Sequence, residues 1–183
     1  MKRGLILKEG TVLVIIDVQE KLFSHMVEKV LIVKNLKKLI NLAKIMKISI
    51  VLTEQYPKGL GSTIPQIKRL LPAIDPIEKI EFSCLGSDKF NKVITELKAK
   101  TLIVAGIEAH ICVTQTAIEA LSNGYVVCVV SDAISSRIIE DKITALERMR
   151  HEGVVIVSTE MLIYELLKKA GTPEFKEMLK YVK

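Results

Sequence analysis

The sequence predicts an α/β protein, a three-layer doubly wound sandwich whose central, mostly parallel sheet has about six strands and carries helices on both faces. Two observations predict this fold. Short β-branched runs alternate with longer segments whose apolar residues recur at helical spacing. The short runs are continuously apolar, which is typical of parallel strands buried on both faces. The 183 residues fit one domain, and we expect that domain to span residues 1–183.

The first part of the chain supplies two strands and one long helix. Residues 11–17 form a β-branched run, which predicts a buried strand ending at Asp17. Residues 27–47 repeat apolar side chains every three or four positions with lysines between them, which predicts an amphipathic helix. Residues 48–55 are the second predicted strand. The two prolines and two glycines of 56–66 predict a loop.

The rest of the chain repeats the alternation. Gly124 and Gly153 mark helix ends, because glycine adopts the left-handed conformation at little cost. The predicted strands are 77–83, which is the weakest, 101–106, 125–133 and 154–158. The predicted helices are 66–71, 87–98, 111–122, 139–152, 159–169 and 173–181. Such an alternation builds a parallel sheet through right-handed crossovers.

Composition and charge exclude several function classes. The formal net charge is +6, but the lysines are spread along helical faces and only 4% of residues are aromatic, so we expect no nucleic-acid binding. No stretch reaches about 18 continuous apolar residues, so we expect no membrane span. Lys8, Glu9 and Gly10 interrupt the run that most resembles a secretory signal. Three cysteines, an odd and sparse set, indicate free thiols and a cytoplasmic location.

Three reactive side chains are predicted at the carboxyl edge of the sheet, where proteins of this architecture bind their ligands. Asp17 ends the first strand, Lys79 lies in strand 77–83, and Cys112 follows strand 101–106 at the start of a helix. A helix N-terminus and a nearby ammonium can lower the pKa of a thiol to about 7 or below. Cys112 is therefore a candidate nucleophile, with Asp17 as its base and Lys79 as the cation that orients both.

Each of these residues also has a simpler interpretation. Cys112 could be an inert core thiol, as we expect of Cys128 in the middle of a strand, and Cys84 fits either role. Asp17 could cap a turn, and Lys79 could be a solvated charge. A buried lysine without a carboxylate partner is costly, however, so the catalytic interpretations of Asp17 and Lys79 support each other.

Other chemistries lack their sequence signatures. The chain contains neither G-x-G-x-x-G nor G-x-x-x-x-G-K-[ST], the motifs for dinucleotides and nucleotide phosphates. An aspartyl-phosphate enzyme would carry a second acidic residue two positions after Asp17, where Gln19 stands. His25, His110 and His151 show no metal-ligand spacing, so we expect no metal and no cofactor.

Three segments, in this order, resemble motifs of the isochorismatase-like cysteine hydrolases. They are VLVIIDVQ for D-x-Q, KIEFSCL for K-x-x-[FY]-S, and VAGIEAHICVTQTAIEALSNGYVVCVVSDAISS for G-[IV]-x-x-x-x-C-V-x-x-T-A. The segment TEQYPKGLGST further resembles the branch called isochorismatase domain-containing proteins. The resemblance runs over nearly the full chain. It implies a catalytic triad of Asp17, Lys79 and Cys112, and an oxyanion hole made by the amides of Glu108 and Cys112 beside a cis peptide bond between Ile107 and Glu108.

The resemblance also implies an activity. It predicts a hydrolase that cleaves a C–N bond of a small amide, carbamoyl or ureido compound through a cysteine thioester, in a homo-oligomer that is a dimer or larger. Family members that hydrolyse nicotinamide carry a D-x-H…H metal motif where this chain reads TEQYPKG, and isochorismatase itself lacks the cysteine, so we expect neither substrate. The alternative is a non-catalytic oligomer of the same fold that binds a metabolite or a protein partner. A third interpretation gives the Cys112 thiol a redox or sulfur-transfer role.

The same strand-edge argument yields candidates for the lining of a substrate pocket. They are Gln19, Phe23, Gln55, Tyr56, Phe82 and His110. The two glycines and one proline of loop 56–63 suggest a lid over that pocket.

Overall fold

The computed structural model describes residues 4–182, and within them it shows one sheet of six strands. The strands are β1 (Thr11–Ile16), β2 (Ser49–Gln55), β3 (Ile77–Lys79), β4 (Thr101–Ile107), β5 (Val126–Ser135) and β6 (Val155–Val157). Their spatial order is β3-β2-β1-β4-β5-β6, and every neighbouring pair is parallel. The predicted α/β fold is confirmed, with a fully parallel sheet. Residues 1–3 and 183 of the predicted domain lie outside the described residues.

Helices and two short turns connect the strands. The helices in the described chain are α1 (Glu20–Phe23), α2 (Lys29–Met46), α3 (Pro57–Leu60), α4 (Pro65–Lys68), α5 (Asp88–Glu96), α6 (Thr114–Ser122), α7 (Ile139–Glu152), α8 (Thr159–Leu167) and α9 (Pro173–Val182). A 3-10 turn spans Cys84–Gly86, and a π-turn spans Ala109–Val113.

The sheet separates two apolar cores. All six residues of β1 are buried, and their side chains alternate, so that Leu13 and Ile15 face one core while Val14 and Ile16 face the other. Helices α2, α8 and α9 cover the first core, and α5, α6 and α7 cover the second. Burial on both faces explains why the strands have continuous apolar runs.

The strand order reverses between β1 and β4, and this reversal opens a crevice at their carboxyl ends. The chain leaves β1 toward α2 on one face and leaves β4 toward α6 on the other. Gly106 allows β4 to approach β1 closely: its φ is +118°, and a Cβ atom there would lie 2.1 Å from the carbonyl oxygen of Ile16. The close approach occurs one residue before Asp17.

Several elements differ from the sequence predictions. The strand predicted over 77–83 ends at Lys79, because the carbonyl oxygens of Glu81 and Phe82 turn back to accept hydrogen bonds from the Lys79 ammonium. The loop predicted over 56–66 contains α3 and the start of α4, each with a proline in its first turn, a position that proline favours. Helix α1 was not predicted. The helix predicted from 111 starts at Thr114, after the π-turn.

We expect Gly106→Ala to lower the free energy of unfolding by about 3 kcal/mol or more, because the new Cβ meets backbone atoms that cannot yield without moving β1. Gly124→Ala is the matched control: its φ is also positive, at +86°, but nothing lies within 4 Å of a Cβ there. It should cost about 1 kcal/mol from backbone conformation alone. Urea unfolding measures both values, and equal losses would contradict the close-approach argument.

Candidate active site

Asp17 turns the chain at the end of β1 and points a buried carboxylate into the crevice. Its φ is +53°, in the left-handed region. Its backbone N–H donates to the carbonyl of Thr53 at 3.2 Å. The side chain is fully buried: Oδ1 accepts from Thr53 Oγ1 at 2.7 Å, and Oδ2 accepts from Lys79 Nζ at 2.6 Å. Strands β2 and β3 thus supply the partners of a carboxylate that ends β1.

The ammonium of Lys79 is also fully buried. Besides Asp17 Oδ2, its acceptors are Gln55 Oε1 at 2.7 Å and the carbonyl oxygens of Glu81 and Phe82 at 3.2 and 3.3 Å. Burial alone would lower the pKa of Lys79. The Asp17 carboxylate, with the nearby sulfurs of Cys112 and Cys84, outweighs burial and raises that pKa above its usual value. Lys79 is therefore charged at neutral pH.

Cys112 lies in the π-turn that follows β4. The peptide bond between Ile107 and Glu108 is cis. The amides of Ile111 and Val113 donate to the carbonyl of Glu108 at 3.1 and 3.2 Å. The Cys112 side chain is buried on the same face of the sheet as Ile16, close enough to Asp17 for the carboxylate to raise the pKa of the thiol. The sheet therefore brings Asp17, Lys79 and Cys112 together.

The expected lowering of the Cys112 pKa is wrong for this site. Burial of the thiol and the negative charge of Asp17 raise its pKa, and the opposing effect of Lys79 is smaller than those two together. A helix-terminus argument takes no account of burial or of a carboxylate in contact with the sulfur. The folded site therefore holds the thiol proton more tightly than a free cysteine does.

Cys84 belongs to the same network, whereas Cys128 does not. The hydroxyls of Thr53 and Thr116 lie near the Cys84 sulfur, and burial followed by the charge of Asp17 raises the pKa of Cys84 to about 12. Its backbone amide donates to Thr116 Oγ1 at 2.9 Å. Cys128 lies in the core on the other face, where burial followed by the charge of Glu165 raises its pKa to about 12.

Charged and polar side chains border the crevice beside the π-turn. Arg137 Nε donates to Glu108 Oε2 at 2.9 Å, and the Arg137 side chain is more than half exposed. His110 Nδ1 lies 2.9 Å from Ser136 Oγ, and its Nε2 lies 3.7 Å from Asp141 Oδ2. Both ring nitrogens of His110 thus face side chains other than Cys112.

The other pocket candidates lie in different settings. Gln19 and Gln55 are buried and bind each other: Gln19 Oε1 accepts from the Gln55 amide at 2.7 Å, and Gln19 Nε2 donates to the Gln55 carbonyl at 3.0 Å. Tyr56 and Phe82 are more than half exposed beside the site. Phe23 packs against the core on the face opposite Cys112. Tyr56 also lines a surface cavity of about 430 Å³ next to Lys79.

Several contacts fasten loop 56–63 to the sheet. The Thr63 amide and hydroxyl both donate to Glu54 Oε1 at 2.7 Å, and Thr63 forms an antiparallel bridge with Gln19. Gln19 Nε2 donates to the carbonyl of Gly61 at 2.7 Å, and Lys21 Nζ donates to that of Gly59 at 2.7 Å. The segment whose glycines and proline suggested a lid is thus a turn held by these hydrogen bonds.

Sequence reasoning missed Thr53, Thr116 and Arg137. Thr53 is detectable in retrospect as the first polar residue after the apolar run 50–52 of β2, and its register partner is Ile16, the residue before Asp17. Thr116 lies in a motif dominated by Cys112, and Arg137 follows β5 without a signal of its own. Among residues 4–182 no group of three or more His, Cys, Asp or Glu side chains could hold a metal ion. No helix in that part of the chain is long and apolar enough to cross a membrane.

Comparison of the sequence with known protein families shows which family the chain belongs to. The sequence model of the isochorismatase domain matches residues 11–161. The chain belongs to the isochorismatase family. The secreted isochorismatase effector Isc1 of Phytophthora sojae is 35% identical over 184 residues, which cover 98% of this chain and 88% of that protein. Isochorismatase domain-containing protein 2 of Danio rerio is 35% identical, with coverage of 97% and 89%.

Solved structures share the fold of this isochorismatase-family chain. The MAR1 ribonuclease of Caenorhabditis elegans superposes with a TM-score of 0.89 at 35% identity, and the match covers 98% of this chain and 92% of that one. The YcaC gene product of Escherichia coli, described as an octameric hydrolase of unknown specificity, superposes with a TM-score of 0.87 at 24% identity, with coverage of 92% and 85%. Because the Escherichia coli protein is only 24% identical, its similarity shows a shared fold and nothing more.

Because Asp17 and Lys79 form a buried ion pair, we expect substitutions of the two residues to have non-additive effects on the free energy of unfolding. Asp17→Asn leaves the Lys79 ammonium unpaired, and Lys79→Met leaves the Asp17 carboxylate unpaired, so each should lower the free energy of unfolding by about 3–5 kcal/mol. The double variant leaves no buried charge, and its loss should be smaller than the sum of the two. Urea unfolding at pH 7 measures the cycle. Additive losses would show that the two charges do not stabilise each other.

The buried thiols predict how stability depends on alkaline pH. Because burial raises the pKa of Cys128 from 9.0 to about 12, the folded protein holds that proton more tightly than the unfolded chain. The resulting contribution to stability is complete below pH 9 and is lost as the pH rises from 9 toward 12. The free energy of unfolding should therefore fall less steeply between pH 9 and 11 in Cys128→Ala than in the wild type. Parallel pH curves would contradict this.

Proposed function

We propose that this protein hydrolyses a C–N bond of a small amide, carbamoyl or ureido compound, with Cys112 as nucleophile, Asp17 as base and Lys79 as the cation that holds Asp17 in place. One observation carries the proposal. The Asp17 carboxylate accepts a hydrogen bond from the Lys79 ammonium and lies close enough to the Cys112 sulfur to raise the pKa of its thiol, in the crevice where the strand order reverses. A nucleophile within hydrogen-bonding reach of an oriented base is the arrangement that covalent catalysis requires.

The proposed reaction has two stages. Asp17 takes the proton of Cys112 as the sulfur forms a bond to the substrate carbonyl carbon, and the amides of Glu108 and Cys112 bind the oxyanion. The tetrahedral intermediate collapses, the C–N bond breaks, and Asp17 returns the proton to the leaving amine or ammonia. Asp17 then takes a proton from water as that water attacks the thioester. The acid is released, and the proton returns to the Cys112 sulfur.

Removing the sulfur tests the proposal. Ammonia release is measured across a panel of small amides and ureido acids with the wild type, Cys112→Ala and Cys112→Ser. We expect both variants to lose at least about 10³-fold in kcat/KM, because the nucleophile is gone. Cys128→Ala is the matched control: it removes a thiol of the other core and should retain turnover. Hydrolysis retained in Cys112→Ala would contradict the nucleophile assignment.

The same panel separates the competing functions. Because the nematode structure is named a ribonuclease, RNA is included, and Cys112-independent cleavage of RNA would contradict the C–N hydrolase. A non-catalytic binder would bind panel compounds without releasing ammonia. Accumulation of an acyl adduct on Cys112, detected by mass spectrometry, would support the thioester directly.

We also propose that the protein forms a homo-oligomer. Large apolar side chains are exposed beside the site: Ile80, Phe82 and Ile138 are 76%, 55% and 56% exposed. Their burial against a second copy would remove apolar surface from water. Light scattering in solution measures the mass, and a monomer of 20.4 kDa at micromolar concentration would contradict the proposal. The three free thiols support a reducing, cytoplasmic location.

A further inference from the structure

We propose that Gln55 is a positioning residue of this site, whose amide oxygen holds the Lys79 ammonium against Asp17 and beside Cys112. The inference rests on the roles assigned to those three residues in the proposed function. Gln55 touches none of the reacting atoms and acts through Lys79.

Gln55 supplies the best neutral acceptor of the ammonium. A lysine ammonium carries three N–H donors. Asp17 Oδ2 takes one at 2.6 Å and Gln55 Oε1 takes another at 2.7 Å. The carbonyls of Glu81 and Phe82, at 3.2 and 3.3 Å, are both near the limit of a hydrogen bond and share the third. Without Gln55, one buried N–H of the Lys79 ammonium would lose its acceptor. Because an unpaired N–H is unfavourable in a buried site, the ammonium would shift away from its present position.

The neighbours of Gln55 fix which end of its amide faces Lys79. Gln55 Nε2 donates to the carbonyl of Ile80 at 2.5 Å. A flipped amide would place an NH₂ group against the ammonium and an oxygen against a carbonyl oxygen, so both contacts would be repulsive. The backbone of Gln55 is held as well, because Gln19 binds both its N–H and its carbonyl. In the register of β2 and β3, Gln55 lies directly opposite Lys79.

The charge that Gln55 holds in place acts on the nucleophile. The groups that titrate near Lys79 are Asp17, Cys112 and Cys84. Glu54 and Glu78, the neighbouring residues on β2 and β3, point to the opposite face of the sheet because strand side chains alternate. Lys79 is the cation that favours the Cys112 thiolate, against burial and Asp17. If the ammonium moves away, less thiolate forms at a given pH.

The test measures the rate at which iodoacetamide alkylates Cys112 at pH 9, with peptide mass spectrometry separating this cysteine from Cys84 and Cys128. Since the rate follows the thiolate fraction, we expect Gln55→Met to slow it about tenfold, which corresponds to one pKa unit. Lys79→Met should slow it at least as much. The double variant should be no slower than Lys79→Met, because Gln55 acts through Lys79. Glu54→Gln, a buried polar change one residue away, should leave the rate unchanged.

Two outcomes would overturn the proposal: a wild-type rate in Gln55→Met, or effects of Gln55→Met and Lys79→Met that multiply in the double variant. If Gln55→Met does not fold, Gln55→Asn replaces it, because the shorter side chain keeps the amide but withdraws its oxygen from Lys79. Alkylation needs no substrate. If no compound of the substrate panel is hydrolysed but the alkylation rates change as expected, only the proposed function is contradicted. If the wild type hydrolyses a panel compound but Gln55→Met is alkylated at the wild-type rate, only the Gln55 proposal is contradicted.

Discussion

The buried ion pair between Asp17 and Lys79 is the constraint on which the rest of this site depends. Neither side chain has any exposed surface, and burying two charges is tolerated only when their remaining hydrogen-bonding capacity is met. That requirement accounts for Thr53 on one carboxylate oxygen and Gln55 on the ammonium. In the described residues no buried side-chain nitrogen or oxygen lacks a partner. The pair is therefore held by a complete network, and a change in any member leaves a charge poorly compensated.

The strand order explains why this network needs β2. Asp17 ends β1 and Lys79 ends β3, and these strands are not neighbours, because β2 lies between them. Lys79 reaches Asp17 across the end of β2, so the residues of β2 on that face, Thr53 and Gln55, border the contact on the way. On the other side of β1, Gly106 lets β4 come close enough to deliver the π-turn and its cysteine. The Asp17 carboxylate thus meets Lys79 from the β2–β3 side of the sheet and Cys112 from the β4 side.

The sequence was sufficient for the parts of this arrangement that local pattern determines. The strands follow from apolar runs, and Asp17 and Cys112 stand out as reactive residues at the ends of such runs. The sequence placed Gln55 only as a pocket candidate, because its hydrogen bond to Lys79 depends on the β2–β3 register, which the local pattern does not show. The early end of β3 and the π-turn depend on the same long-range contacts. The pKa of Cys112 was predicted in the wrong direction because burial and the contact with Asp17 come from tertiary structure.

The raised pKa of the Cys112 thiol has a consequence for the chemistry proposed for it. Oxidants and electrophiles react with thiolates, so a raised pKa protects Cys112 until the proton is removed. In the proposed mechanism, Asp17, which lies close to the sulfur, removes the proton as a bond to a carbonyl carbon begins to form. This arrangement suits acyl transfer and disfavours a redox sensor, which needs an exposed thiolate at neutral pH. Lys79 limits how far the pKa can rise, since it offsets the charge of Asp17 on the same sulfur. The opposing effects of the ion pair on Cys112 thus favour the hydrolase over the redox interpretation.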